Sequence, residues 1–78
     1  MSSESTQADA LREFDVVALL HELPEHRLAA GQVGTVLWVH EAGNELEVEF
    51  VEPSREPTLV RLHRSDLLKL HGLWVGGA

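Results

Sequence analysis

Gly31-Gln32-Val33-Gly34-Thr35-Val36-Leu37-Trp38-Val39-His40, then Glu41-Ala42-Gly43-Asn44, then Glu45-Leu46-Glu47-Val48-Glu49-Phe50 is the stretch that decides the class of fold. Two runs rich in β-branched and apolar residues flank a short turn, which reads as a β-hairpin. In the second run acid and apolar residues alternate strictly. Successive side chains of a strand point to opposite faces, so Leu46, Val48 and Phe50 face one way and Glu45, Glu47 and Glu49 the other. A slip of one residue would bury three carboxylates, which sets the register firmly. The first run holds two alternating sets: Val33, Thr35, Leu37 and Val39 against Gly34, Val36, Trp38 and His40. Leu37 and Val39 are expected in the core, while the facing of the run as a whole stays open, because a bulge at Gly34 or Thr35 would shift it.

The rest of the chain extends this hairpin. Phe14-Asp15-Val16-Val17-Ala18-Leu19-Leu20 reads as a strand buried on both faces. His21 to Gly31 contains Pro24, which cannot continue a strand, and reads as a long surface loop with room for a helical turn. Gly34 predicts a sharp bend at the start of the next strand. Glu52 to Pro57 is a polar connection with two prolines, followed by a strand at Thr58-Leu59-Val60-Arg61-Leu62. His63-Arg64-Ser65-Asp66 reads as one helical turn, because Ser and Asp bond readily to nearby backbone. Leu67 to His71 is the fifth strand. Residues 1–13 are an N-terminal tail, disordered or with a short helical turn; 14–71 form the domain; 72–78 are a C-terminal tail. The expected core is Val17, Leu19, Leu37, Val39, Leu46, Val48, Phe50, Val60, Leu62 and Leu68.

Five short antiparallel strands, a long loop after the first and a helical turn before the last follow the order of a small all-β, SH3-like barrel. Closing or nearly closing such a sheet hides its apolar face and its edges. At these residues the chain resembles a known family. Phe14 to Leu19, Leu23-Pro24-Glu25-His26, Gly31-Gln32-Val33-Gly34-Thr35-Val36 and Glu47-Val48-Glu49-Phe50 are similar, in order and spacing, to the DUF4926 group of small bacterial proteins. The resemblance covers about Phe14 to Leu70. It implies an SH3-like barrel in a bacterial cytoplasm and no activity. The Gly-x-x-Gly-Thr-Val element is also similar to that of KOW modules, which bind RNA or protein, but this chain lacks their basic cluster around the turn.

Composition limits the function. The chain has 78 residues, no cysteine and a formal net charge of −7. That length allows one domain with a modest core. Without cysteine there is no disulfide or thiolate chemistry, and a cytoplasmic location is expected. No apolar run approaches a membrane span, and Met1 to Gln7 does not have the pattern of a signal peptide. Phosphate-backbone binding draws on Lys and Arg. Six such residues against thirteen acids argue against nucleic acid as the main partner. Arg55, Arg61, Arg64 and Lys69 nonetheless gather in one region and would serve a KOW-like weak RNA-binding alternative.

No set of nucleophile, base and orienter can be read from the sequence, so no enzyme and no cofactor are expected. His21, His26, His40, His63 and His71 are numerous but lack the spacing of a zinc helix, and no metal is expected. His21 and His26 flank Pro24 in a loop, a place where binding residues concentrate. Glu45, Glu47 and Glu49 form a solvated stripe able to receive a basic partner. Trp38 and Trp74 are of the residue type most enriched in binding hot spots. Leu73, Trp74 and Val75 would be adhesive unless they cap the domain or meet a second chain. The expectation is a non-enzymatic protein-interaction module: an antitoxin, immunity or accessory protein for a basic partner. Trp38, Trp74, His21, His26, Glu45, Glu47 and Glu49 are its contact residues. Homo-oligomerisation through strand edges or the C-terminal tail is a second form of the same expectation.

Overall fold

A computed structural model describes residues 10–71. It contains β1 (Val16–Leu19), β2 (Val33–His40), β3 (Glu45–Glu52), β4 (Arg55–His63) and β5 (Leu67–Lys69). Single 3-10 turns cover Pro24–His26, Glu41–Gly43 and Arg64–Asp66. The five strands form one antiparallel sheet in the order β4-β3-β2-β1-β5. The sheet is open: β4 and β5 are its outer strands and are not hydrogen-bonded to each other. No helix of the described residues is long and apolar enough to cross a membrane. The tail segments 1–9 and 72–78, Trp74 among them, lie outside the described residues.

β3 follows its sequence pattern. Leu46, Val48 and Phe50 are fully buried, and Glu45, Glu47 and Glu49 occupy the opposite face. Each side chain of this size adds about 1.5–3 kcal/mol when removed from water. Val60 and Leu62 of β4 pair with Val48 and Leu46 and enter the same core. Val17 and Leu19 complete it from β1, whose four residues are buried or nearly so, as expected for a strand covered on both faces.

Two core assignments change, those of Leu37 and Leu68. β2 uses neither alternating set throughout. Gly34 and Val36 face inward, a register shift falls between Val36 and Trp38, and Val39 then packs against the core. Leu37 is therefore the extra residue of a bulge and not a core residue. The shift has a physical logic: it keeps His40 and Trp38 out of the core while retaining Val36 and Val39 on its side. Leu68 is 51% exposed, and Leu67 takes its place inside. The 3-10 turn delivers Leu67 opposite Leu19, which reverses the expected facing of β5. Gly34 is a close-packing position. A Cβ there would stand 2.8 Å from Phe50 Cδ2 and from Val48 Cγ1, so glycine lets the Phe50 ring lie against the β2 backbone.

The loop between β1 and β2 is more ordered than a surface excursion. Leu23 and Leu28 exchange backbone hydrogen bonds of 2.8 and 3.1 Å and are both buried. Arg55 Nη2 donates to the carbonyls of His26 and Arg27 at 3.2 and 3.0 Å, tying the loop to the β3–β4 turn. That turn is Pro53-Ser54 alone. Pro57 sits within β4, where an outer strand tolerates a missing donor. Leu11 also belongs to the core, so packing begins before Phe14.

Candidate functional site: the outer face of the sheet

Cross-strand partners share a face, so the register maps the outer surface directly. One rung runs Trp38, Glu47, Arg61 and the next His40, Glu45, His63. Toward the other end lie Val16, Thr35, Glu49 and Leu59, then Leu68, Ala18 and Val33. Leu59 of β4 and Thr35 and His40 of β2 apart, the β3–β4 half is thus charged and the β1–β2–β5 half apolar, with Trp38 on the boundary.

The glutamate stripe is partly neutralised. Arg61 Nε donates to Glu45 Oε1 at 2.7 Å, and His40 Nε2 lies 3.1 Å from Glu47 Oε2. Both are diagonal cross-strand pairs. Glu49 has no ion pair or hydrogen bond among the described residues. It is the glutamate of the stripe whose charge is uncommitted.

Trp38 is 56% exposed. Regular alternation from Val36 would send it into the core; the bulge at Leu37 turns it to solvent, a common effect of bulges. Its ring lies 6.0 Å from that of His40, tilted by 30°. Phe14 is a second exposed aromatic, placed by sequence in a buried strand and found instead in a turn before β1, 72% exposed. Its φ of 72° is left-handed, a conformation for which nothing in its sequence context gives a signal. Phe14 N–H donates to Val36 O at 2.6 Å, which fixes the residue beside the bulge.

The histidines of the β1–β2 loop are elsewhere. His21 follows β1, at the opposite end from Phe14. Its Nε2 donates to Asp66 Oδ1 at 2.8 Å and its Nδ1 lies 3.3 Å from the Glu22 carbonyl. Both neighbours only accept, so the doubly protonated ring is favoured. The Asp66 hydrogen bond, with help from Glu22, raises the His21 pKa above the ordinary 6.5. Partial burial pushes Asp66 up, but hydrogen bonds from His21 and the His63 N–H outweigh it and leave its carboxyl below 3.8. His26 contributes its carbonyl to the Arg55 clasp. The structure therefore brings Trp38, Glu45, Glu47 and Glu49 together and leaves His21 and His26 apart from them.

Among the described residues no three His, Cys, Asp or Glu side chains converge as a metal site would require. His63 Nδ1 accepts from the Ser65 N–H at 3.1 Å, and Asp66 Oδ2 accepts from the His63 N–H at 3.0 Å. That reciprocal box caps the turn before β5. An open hollow of about 470 Å³ lies between Leu11, Val39, Ala42, Gly43, Asn44 and Arg64, and the described residues that line it bring no carboxylate, hydroxyl or imidazole.

A family model described as a domain of unknown function, DUF4926, matches residues 13–67, from the Phe14 turn to the start of β5. No curated protein and no solved structure matches the chain.

Proposed function

We propose that this chain, which belongs to the DUF4926 family of domains of unknown function, is a cytoplasmic, non-enzymatic module that docks a basic protein partner on the outer face of its sheet. The observation that carries this reading is the setting of Trp38: more than half exposed, between an apolar surface and a row of glutamates. Tryptophan buries much area at small entropic cost, and such anchors supply most of the energy of an interface. The acids beside it would steer and orient a cationic partner. A small acidic domain of this design suits an antitoxin, immunity or accessory role.

The RNA-binding alternative draws on bases that are engaged within the chain. Arg55 binds two carbonyls and Glu52, Arg61 binds Glu45, and Lys69 Nζ lies 3.4 Å from Asp15 Oδ2. Phosphates would have to displace these contacts. The test is stoichiometric co-purification from host extract at low salt. One basic protein should be retained, lost with Trp38→Ala and weakened by salt. Retention of RNA, or of bulk protein that ignores Trp38→Ala, would overturn the reading.

A further inference from the structure

We infer that Phe14 and Trp38 together form the anchor of this docking face, built to take a partner segment that presents a bulky apolar side chain next to lysine or arginine. The inference rests on the docking reading above and names its hot spot. It begins from an oddity of Phe14. A left-handed φ is costly for any residue with a Cβ, and glycine or asparagine is the usual occupant. Burial could offset that cost, but the Phe14 side chain is 72% exposed. Fold stability therefore gives no reason for phenylalanine at this position, and a backbone outlier of this kind points to function.

The backbone that carries the ring is also held in a defined place. Arg12 N–H donates to Asp15 Oδ2 at 2.8 Å, and Asp15 N–H returns to Arg12 O at 3.1 Å. Those bonds close the turn at whose crest Phe14 stands. The bond from Phe14 N–H to Val36 O and that from Val36 N–H to Asp15 O, 2.9 Å, fasten the turn to β2 just before the bulge. Two separate departures from regular backbone thus expose two aromatics at one end of the β1–β2 pair. A surface fixed in advance loses little entropy on binding.

Charge defines the occupant. Glu47 lies directly across from Trp38, and Glu49 follows two residues along β3 with no internal partner among the described residues. A lysine or arginine beside the inserted apolar group could meet Glu49 and lie over the indole face.

Panning a phage library of random peptides against the whole protein tests this even while the natural partner is unidentified. Enriched peptides should carry a large apolar residue adjacent to Lys or Arg. Their affinity should fall about thirtyfold with Phe14→Gly, the loss expected of a hot-spot residue. Trp38→Ala should act similarly, and Glu49→Gln should reduce the salt dependence. Phe14→Gly and Phe14→Asn should melt at or above the wild-type temperature, because each relieves the left-handed strain. Peptides that depend on Trp38 and ignore Phe14 would overturn the anchor and leave the docking reading standing. A lowered melting temperature in both Phe14 variants would make the residue structural and also overturn it. Failure to enrich any peptide would overturn both.

Discussion

On the outer face, β3 and β4 carry Glu45, Glu47, Glu49, Arg61 and His63, whereas β2 and β5 expose Val33, Trp38 and Leu68 beside the more buried Val16 and Ala18 of β1. The two halves share one sheet and one core but solve different problems. The first is regular along most of its ladder, and its charges pair diagonally across the strands. With Pro57 in the outer strand, it resists edge-to-edge association. Val51 and Leu59 interrupt this polarity toward the Pro53-Ser54 turn. The second half departs from regular geometry at Phe14 and Leu37, and those departures coincide with its exposed aromatics. The distortions at Phe14 and Leu37 are what turn aromatics outward, whereas Val33 and Leu68 lie exposed in regular strand.

The largest expected effect tests whether the halves share one fate. Phe50→Ala should cost about 3–5 kcal/mol in denaturant unfolding, because the ring is fully buried between β2 and β3. Tryptophan fluorescence and far-ultraviolet circular dichroism should report the same midpoint. Two separated transitions would show that the halves fold independently. Gly34→Ala comes next, at about 1–3 kcal/mol, because its methyl would overlap Phe50 and Val48. A neutral result would mean that β2 can move away from β3, and that the seam between the halves is loose.

Those two residues also show what the sequence could reveal. The alternation of β3 is legible because its face pattern has one solution, and the cap at His63 to Asp66 is legible from local side-chain chemistry. β2 is not, because its apolar residues are divided between two phases and only the packing of Phe50 over Gly34 selects where the phase changes. The outward facing of Trp38 agrees with its alternation against Leu37 and Val39 in the sequence, but it comes about through a bulge that no single residue announces. Phe14 is the clearest loss: in sequence it is an apolar residue leading into an apolar strand. Its left-handed turn exists because Asp15 and Val36 capture the backbone around it. The glutamates were legible as a stripe, but their diagonal partners, which leave Glu49 alone uncommitted, depend on register.

A smaller effect probes the charged half. Arg61→Ala should cost about 0.2–1 kcal/mol, the range of exposed ion pairs, and less as salt is raised. Its consequence for docking should run the other way. Releasing Glu45 adds an uncommitted carboxylate to the face, so peptides selected on the wild type should bind Arg61→Ala as tightly or more tightly. Weaker binding would mean that the arginine itself contacts the partner and that the charged half is not a purely acidic rim.

The smallest effect concerns the end of β1 remote from Phe14, and its sign follows from two opposed shifts. The His21 pKa is raised above 6.5, so its contribution to stability is complete below 6.5 and is lost as pH rises through the higher folded value. The Asp66 pKa is lowered below 3.8, so its contribution is present above 3.8 and is lost as pH falls through the lower folded value. The contact is therefore at full strength between these limits, and heating experiments should find His21→Gln most destabilised relative to wild type near pH 5. The difference should shrink in a second measurement at pH 8, as far as the rise in pH has carried His21 through its folded value. Because His21 is exposed, the shift in melting temperature should be slight, and the Phe14-dependent peptide affinity of His21→Gln should match wild type. An equal melting difference at both pH values would assign His21 a packing role. A loss of peptide affinity would extend the docking face along the whole of β1, so that the boundary between the two halves no longer falls at Trp38.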